Sequence, residues 1–507
     1  MAFLRSLTGR GRKPNGDSAA QRRAMRQLQP VESGRQIEEE TAFDYHRREF
    51  YPVWIGMIIK ERYEVLAKLD WGSAATTWFC KDQVTQRFVA LKITAIQLAA
   101  DGSRHVQQRL EWKAYNRLSG METSHEGVRY IREIQARFDL SSPSAAGAEH
   151  ACLVFDVAGV HLTELERIYP GRRLPINLTK DVLKNVLKAM DFLHSEAGIV
   201  HTDIRKENIF FPASQRCCAL FAERVAKQKP AGKLDPDTGR IIYRSTHFPD
   251  LLTSQEMSLG RPVLGDFSEA QIIKDGRHNL PPRLVGPEPF RSPESIIGMP
   301  LNTGLDLWAL SQLAFAMVSS RDLLTVYDHS GDWNSTMHLA QMHALMSSPP
   351  RVALIQSRYA LNYWEESGSW KRTLACSPRD FDAELDAALE AADRAAHGHF
   401  IDFLRGIFKW MPEERSAAGK LLQHRFLDEN RTAVVHPYEH EEEESEEESF
   451  AAAEAKRNAE INAGSGYGDG SARRPGMGGR KQSMDVACRE LKQMKRKQSV
   501  LRRAFMG

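Results

Sequence analysis

The sequence lacks any long uninterrupted run of apolar residues. A helix that crosses a bilayer needs a run of about 18 or more such residues, and no stretch of this chain reaches that length. The formal net charge is only +3, which is too small to indicate that the whole chain binds a polyanion. We therefore expect no membrane partner and no direct binding of nucleic acid.

Cysteine is scarce, and the spacing of the few cysteines present does not indicate disulfide bonds or a metal site. The chain has 6 cysteines, and none of them forms a C-x-x-C pair or another metal-ligand spacing. This excludes a disulfide scaffold and a structural zinc site. Free thiols indicate a reducing compartment, so we expect the cytoplasm, the nucleus or both.

Composition divides the chain into a folded centre and two polar ends. Apolar residues make up 42% of the 507 residues, enough for a large core. We predict a folded domain over 50–428, a disordered basic arm over 1–49 and a disordered tail over 429–507, acidic first and basic afterwards. Because the beginning of the arm is rich in arginine and poor in acids, a mitochondrial transit peptide is the alternative interpretation.

Within the centre, the periodicity changes from strand-like to helical. Short alternating segments such as 76–80, 88–94 and 152–155 predict a small sheet, with a helix near 107–118. After about residue 157 apolar residues recur at helical spacing, and Gly198 ends the first long helix. This pattern predicts a first lobe over 50–157 and a mainly helical second lobe over 158–428. The stretch 212–260 has few periodic apolar residues, and we predict that it is an inserted loop.

The octapeptide His201-Thr-Asp-Ile-Arg-Lys-Glu-Asn208 is the most informative motif in the chain. It has the H-x-D-x-x-x-x-N arrangement of a catalytic loop, in which the Asp orients an attacking hydroxyl and the Asn holds a magnesium ion. Val89-Ala-Leu-Lys92 lies upstream and Leu264-Gly-Asp-Phe-Ser268 downstream. Alone, the first is a buried strand that ends in a lysine, and the second is the start of a turn. Their order along the chain favours a functional interpretation of all three.

With these parts in this order, the chain resembles a eukaryotic protein kinase over roughly 50–428, and it is similar to the SR-protein kinases, especially their divergent fungal members. The lead-in Tyr51-Pro-Val-Trp-Ile-Gly56, the tryptophan-containing glycine loop 68–78 and His-Thr-Asp-Ile carry this resemblance. Asn208 and Asp266 are also 58 positions apart (266 minus 208), and the insert lies where that family has a spacer. The resemblance implies an α+β fold with two lobes, a small β-rich one and a larger helical one.

The resemblance also implies a reaction and its residues. ATP and Mg²⁺ would be the cofactors, and the γ-phosphate would pass to serine or threonine of protein substrates, with Arg-Ser-rich segments as the family's preference. The implied catalytic residues are Asp203 as base, Arg205, and Lys92 paired with Glu111. The implied ATP-binding residues are Leu69, Gly72, Ala90, Lys92, Asp156 and Val157, and the implied metal ligands are Asn208 and Asp266. Structural roles fall to Glu294 paired with Arg415, and to Asp306 beneath the catalytic loop.

Several positions depart from the family pattern. The glycine loop has Asp70 and Ala75 in place of its outer glycines, and Ser268 stands where Asp-Phe-Gly has its glycine. Arg205 replaces a lysine and keeps its charge in a larger, forked shape. No group that phosphoryl transfer requires is missing, so we favour an active kinase. A nucleotide-binding scaffold without activity is the main alternative, and a nucleic-acid-binding protein with basic tails is a remote third.

Thr202 occupies the position at which kinases switched by loop phosphorylation commonly have an arginine. Without that arginine an Arg–phosphate pair cannot order the loop. We therefore expect activity that does not depend on phosphorylation of the activation loop.

The basic tail contains two identical tetrapeptides, 480–483 and 496–499, which read Arg-Lys-Gln-Ser. Each serine follows basic residues, as in targets of basophilic kinases or of autophosphorylation, and the segment 494–498 resembles a nuclear import patch. The alternative is a solvated basic segment that folds back on the acidic run 439–448.

Overall fold

A computed structural model describes the residues from 18 to 428 with several gaps. The described ranges are 18–32, 34–42, 45–96, 107–145, 147–247, 260–273, 279–371, 379–389 and 394–428. The predicted tail 429–507 and the first 17 residues of the predicted arm lie outside them. All the elements below belong to one compact unit. No helix in the described ranges is long and apolar enough to cross a membrane.

The first lobe is built on a six-stranded antiparallel sheet in the order β2-β3-β4-β5-β7-β6. Its strands are β2 (Ile58–Ile59), β3 (Tyr63–Trp71), β4 (Ala75–Asp82), β5 (Phe88–Thr94), β6 (Ile134–Ser141) and β7 (Glu149–Phe155). Helix α2 (Gln107–Ser119) follows β5 along the chain. Val89, Leu91 and Ile93 alternate along β5 with Ala90 and Lys92, and the two sets point to opposite faces of the sheet. The predicted strands 76–80, 88–94 and 152–155 all lie within this sheet.

The second lobe is mainly helical, as the change of periodicity predicted. Its helices are α3 (Leu162–Glu166), α4 (Ile176–Phe192), α6 (Pro293–Ile297), α7 (Gly304–Ser319), α8 (Ser335–Met346), α9 (Arg351–Gln356), α10 (Phe381–Ala388), α11 (Arg394–Arg405) and α12 (Ala418–Leu421). Every residue of α7 is buried, which makes this helix the centre of the lobe. Gly198 has φ +60° at the C-cap of the turn that follows α4, a conformation that suits glycine. The two-lobed α+β fold is confirmed.

Short strands in the second lobe bring the motif residues together. Strands β8 (Ala158–His161), β10 (Ile209–Pro212) and β13 (Val263–Leu264) form one sheet, with β10 in the middle. Strand β9 (Ile199–Val200) pairs with β14 (Gln271–Ile272) in another. Since Asn208 immediately precedes β10 and Asp266 follows β13, the antiparallel pairing of these strands places both residues at the same end. Asn208 and Asp266 are therefore close in the structure although they are far apart in sequence.

Two segments that the sequence predicted to lack structure are folded. Helix α1 (Ser18–Arg26) and strand β1 (Gln29–Pro30) fall in the predicted disordered arm, and helix α5 (Gln215–Lys227) falls in the predicted loop. Strands β11 (Ala231–Leu234) and β12 (Ile241–Tyr243) also belong to the insert, and β1 pairs in parallel with β11. The predictions of a disordered 18–42 and of an unstructured insert were therefore wrong. The pairing of β1 with β11 joins residues that are 202 positions apart in sequence (231 minus 29), and local sequence patterns do not show such a contact.

A buried cluster of charges explains why the arm segment is ordered. Glu39, Lys68 and Arg240 come from the arm, from β3 and from the insert, and their side chains are 1%, 1% and 4% exposed. Lys68 Nζ donates to Glu39 Oε2, and Arg240 Nη1 donates to Glu39 Oε1 over 2.7 Å. Burial raises the pKa of Glu39, but the charges of Lys68 and Arg240 outweigh it and hold the pKa below its usual value. One carboxylate therefore joins three segments that are far apart in sequence.

We expect Glu39→Ala to lower the free energy of unfolding by about 3–5 kcal/mol, because it leaves two cations buried without their shared partner. Urea-induced unfolding of the full chain measures this quantity. Glu32→Ala, an exposed glutamate of the same segment, is the matched control and should change stability little. Equal effects of the two substitutions would show that the cluster does not hold the arm segment in place.

Candidate active site

A cavity lies between the two lobes and contains most of the residues assigned to ATP. Leu69, Gly72, Ala90 and Lys92 line it from the first lobe, and Asp266 lines it from the second. Asp156 and Val157, which were also assigned to ATP, are not among its lining residues. Their neighbours Phe155 and Ala158 line it instead.

The side chain of Asp156 is engaged away from the cavity. Its Oδ1 accepts a hydrogen bond from Gln135 Nε2 and lies 3.7 Å from Arg87 Nη2. Strand β7 ends at Phe155, and Asp156 and Val157 connect it to strand β8, which begins at Ala158.

Lys92 is the electrostatic centre of the site. Its Nζ lies 3.0 Å from Glu111 Oε1 on α2 and 2.9 Å from Asp266 Oδ1 of the second lobe. Burial lowers the pKa of Lys92, but the charges of Asp266 and Glu111 overcome this and raise it. Removal from water raises the pKa of Asp266, and the charge of Lys92 reverses that effect and brings it to about 2. Both groups therefore stay ionised at neutral pH.

The catalytic loop lies between β9 and β10 and holds Asp203 through Asn208. Asn208 Nδ2 donates to the carbonyl oxygen of Asp203 over 2.8 Å and to its Oδ2 over 2.7 Å. Burial raises the pKa of Asp203, and the charges of Arg205 and His201 offset this only in part. Arg205 Nε donates to Glu207 Oε2 over 2.7 Å, and both side chains are partly exposed. The loop thus holds a carboxylate in a fixed orientation.

Asp306 lies beneath this loop, in the first turn of α7. Its two oxygens accept the backbone N–H groups of His201 and Thr202, each over 2.7 Å, and Oδ2 lies 2.8 Å from His194 Nε2. Thr202 has φ +65°, a costly conformation for a β-branched residue. The two hydrogen bonds to Asp306 help to hold the backbone in that conformation.

Glu294 and Arg415 form a buried pair at the far side of the second lobe. Arg415 Nη1 and Nη2 donate to Glu294 Oε1 and Oε2, each over 2.7 Å, and both side chains are 0% exposed. Arg415 Nη1 also donates to the carbonyl of Gly304, at the start of α7. The parallel, bidentate geometry is the strongest form of this interaction, and it joins α6 to α7.

A row of aromatic rings connects these parts, and it was not predicted from the sequence. Phe267 lies 4.9 Å from His201 and 5.1 Å from Tyr115, and Tyr115 lies 5.5 Å from Phe155, measured between ring centroids. The row runs from the catalytic loop through α2 to the end of β7. Its signal was available, because Tyr115 is four residues after Glu111 and therefore lies on the same helix face.

The residues assigned to the metal fit a hard divalent cation. Both hydrogen bonds donated by the Asn208 amide go to Asp203, which leaves the amide oxygen as its ligand atom. Asp266, with its pKa near 2, supplies a carboxylate. Among the described residues, no group of three or more His, Cys, Asp or Glu could hold a metal ion. A cation held here would take its other ligands from phosphates and water, as Mg²⁺ commonly does.

The positions that depart from the family pattern also fall in the site. Asp70 lines the cavity, and its Oδ1 accepts the N–H of Trp71 over 2.8 Å. Ser268 also lines the cavity, and its N–H donates to Asp266 Oδ1 over a longer 3.4 Å. Asp266 itself has φ +60°. The substitutions thus leave the carboxylate of Asp266, which is assigned to the metal, in the cavity, and Asp70 adds a second acid to the lining.

Comparisons with known proteins agree with this geometry. The family model described as "Protein kinase domain" matches residues 63–220. The chain is 29% identical over 403 residues to a serine/threonine protein kinase of Aspergillus fumigatus, covering 78% of this chain and 92% of that protein. It is 25% identical to the serine/threonine-protein kinase SRPK of Physarum polycephalum, covering 62% and 74% respectively. It is 28% identical to SRSF protein kinase 3 of Sus scrofa, covering 46% and 40%.

We expect Lys92→Met to reverse the pH dependence of stability that Asp266 contributes. In the native chain the pKa of Asp266 is about 2, against an ordinary value of 3.8. Its contribution is therefore complete above about pH 4 and is lost as the pH falls towards 2. Burial already raises the pKa of Glu111 in the native chain. Without Lys92 the largest opposing charge is lost, so burial raises the pKa of Asp266 as well and raises that of Glu111 further. The free energy of unfolding of the variant should then fall as the pH rises from the acid range to neutrality.

Chemical denaturation at a series of pH values checks this sign. Lys371→Met is the control, because Lys371 pairs with a mostly exposed glutamate, Glu365, outside the site. Parallel pH profiles for the Lys92→Met variant and the native chain would contradict the expectation.

Proposed function

We propose that the chain is an active protein kinase of the serine/threonine type, similar to the SR-protein kinases, with Asp203 as its catalytic base. The observation that carries the proposal is the position of Lys92, which contacts Glu111 and Asp266 at once. This contact joins the two lobes around the cavity in the arrangement that phosphoryl transfer requires.

Asp203 would accept the proton of the attacking hydroxyl. The serine oxygen forms a bond to the γ-phosphorus, the bond from that phosphorus to the bridging oxygen breaks, and ADP leaves. The hydroxyl proton passes to Asp203 and then to water. A carboxylate with a raised pKa is a better base than an ordinary one, and the hydrogen bonds from Asn208 fix its direction.

Other residues would orient and neutralise the phosphates. Lys92 brings a positive charge to the cavity, and Arg205 brings another beside Asp203. Asn208 and Asp266 would hold Mg²⁺, which neutralises charge on the phosphates when it is bound. Leu69 and Ala90 supply an apolar wall for the base.

Contacts among the described residues would hold the activation segment in place. Thr202 Oγ1 donates to the carbonyl of Glu269 over 2.8 Å, and β14 pairs with β9 directly afterwards. Further along, Leu280 and Leu301 exchange backbone hydrogen bonds in an antiparallel bridge. These contacts support the proposal that activity does not depend on phosphorylation of this segment.

We further propose serines in Arg-Ser-rich segments as the substrates. This proposal is supported by the similarity to the SRPK and SRSF protein kinases named above. The described residues provide the catalytic chemistry that the chain would share with those kinases. They do not identify a groove that would bind such a substrate.

A nucleotide-binding scaffold is the second candidate, and the pairing of Arg205 favours it. Arg205, which would contact the transferred phosphate, is partly neutralised by Glu207. A scaffold would bind ATP without transferring its phosphate, so transfer and binding must be measured separately.

We expect Asp203→Asn to lower phosphate transfer to an Arg-Ser-rich peptide by about 10²–10⁴-fold. The loss follows because the amide cannot accept the hydroxyl proton. Transfer of radiolabelled γ-phosphate in the presence of Mg²⁺ is the measurement, and ATP binding by calorimetry is the parallel one. Asp402→Asn, whose side chain is 75% exposed on α11, is the matched control and should keep the native rate.

Native protein that binds ATP and folds well, but transfers no phosphate, would replace the active kinase by the scaffold. Equal transfer by the Asp203→Asn variant and the native protein would remove Asp203 from its role as base.

We also expect protein made in bacteria and treated with phosphatase to transfer phosphate at the rate of the untreated sample.

Thr202→Val should lower this rate, because it removes the hydroxyl that contacts Glu269, whereas Thr202→Ser keeps the hydroxyl and should retain activity. Full dependence on prior treatment with another kinase would contradict the proposal.

A further inference from the structure

Arg132 places a charged side chain at a position in the cavity that the catalytic arrangement does not use. Its backbone N–H donates to the carbonyl of Leu264 over 2.8 Å, next to β13. The guanidinium carbon lies 4.4 Å from the centroid of the Phe155 ring and 4.5 Å from that of Phe210. All three of Arg132, Phe155 and Phe210 line the cavity.

The neighbouring chain makes room for this side chain. A Cβ added at Gly265 would lie 2.9 Å from Arg132 Cβ, 3.0 Å from its Cδ and 3.1 Å from Phe210 Cε2. The first distance is too short for a real contact and the other two are tight, so a side chain at position 265 would require Arg132 to shift. The glycine that precedes Asp266 is therefore part of the arrangement that holds the arginine.

The hydrogen-bonding capacity of Arg132 is largely unused. Among the described residues, its one recorded hydrogen bond is a long contact of 3.5 Å from Nη2 to the carbonyl of Asp156. No carboxylate of those residues lies within 4.0 Å of its nitrogens. A guanidinium has five N–H donors in one plane. Because aromatic rings lie against Arg132, its donors can be satisfied only along the edge of that plane.

The charge of Arg132 acts on the carboxylates of Glu111 and Asp266, but among the described residues neither carboxylate accepts a hydrogen bond from it, so this charge does not account for the unused donors. Stacking between two phenylalanines does not account for them either, because an apolar side chain would fill the same space without the desolvation of a charge. The feature that only an arginine or a lysine supplies is a set of donors without acceptors. Such a set can pair with a ligand that presents acceptors in the cavity.

We propose that Arg132 reads the base of the bound nucleotide and allows the site to use GTP as well as ATP. Guanine presents two adjacent acceptors, N7 and O6, and an arginine pairs with both at once, whereas adenine presents one acceptor and one donor at the same edge. Arg132 is thus a specificity-determining residue of the reaction, and the inference rests on the proposed kinase function.

The reaction with the second nucleotide is the same as with the first. The serine oxygen bonds to the γ-phosphorus of GTP, the bond to the β–γ bridging oxygen breaks, and GDP leaves. The hydroxyl proton passes through Asp203 to water. Only the recognition of the base differs, so the difference should be visible in binding as well as in transfer.

The test is calorimetric binding of ADP and GDP to the full chain, with transfer from ATP and GTP to an Arg-Ser-rich peptide measured in parallel. In the native protein we expect both nucleotides to bind. Arg132→Leu should weaken GDP binding about 5- to 150-fold, the value of a lost bidentate pair, and ADP binding by less than about ten-fold. Arg132→Gln, which can pair with the adenine edge, should favour ADP.

The matched control is Arg137→Leu. Arg137 also stacks on an aromatic ring, at 4.6 Å from the centroid of Trp112, but it does not line the cavity. This substitution should leave the ratio of the GDP and ADP dissociation constants unchanged. A native thermal-unfolding profile for each variant establishes that it is folded.

Each outcome decides the inference. A native chain that binds ADP and transfers phosphate from ATP, but does not bind GDP, would overturn the inference. An unchanged ratio of the GDP and ADP dissociation constants in the Arg132→Leu variant would overturn it too, and in both cases the kinase function stands. Tighter binding of both nucleotides to the Arg132→Leu variant would show that Arg132 blocks the base site instead of reading it. Failure of the native chain to bind either nucleotide would overturn both this inference and the proposed function.

Discussion

One ammonium group holds the active site together. Lys92 Nζ contacts carboxylates of both lobes at about 3 Å, so the position of α2 and the position of Asp266 are set by the same cation. Around that contact, the row of aromatic rings from His201 to Phe155 gives the two lobes a shared apolar support. Asp306 supports the catalytic loop from below through its backbone. The carboxylates, the loop and the helix are therefore coupled, and a change at any one of them alters the others.

The sequence predicted the parts of the site that are defined by local motifs. The expected pairs Lys92–Glu111 and Glu294–Arg415 are both present as contacts, because each motif fixes its residue at the end of a strand or in a helix that the fold brings together. The two-lobed α+β architecture followed from the change in hydrophobic period. The contact of Asp306 with the catalytic loop was also expected, although the positive φ of Thr202 was not.

The parts that escaped prediction depend on pairs of residues far apart in sequence. Nothing near Glu39 shows that its partners are Lys68 and Arg240, and a charged residue in a polar segment is normally solvated. For the same reason the order of 18–42 and of the insert was missed. Asp156 and Val157 lie between the lining residues Phe155 and Ala158, and their assignment to ATP stays a prediction. The position of Arg132 in the cavity could not be predicted, because it depends on the two phenylalanines and the glycine that surround it in the structure.

The pairing of the arm with the insert has a consequence for how the protein is made. Lys68 is buried in the first lobe, but its carbonyl acceptor on Tyr243 lies 175 residues further along the chain. Ala24, Ile241 and Tyr243 pack in the same apolar cluster as Val65 and Trp78 of the sheet. A ribosome therefore releases the whole first sheet well before the strands that complete its core. The apolar surface of the first lobe therefore stays partly exposed until the middle of the chain has been made. Contacts over so long a separation in sequence slow folding and expose apolar surface during synthesis.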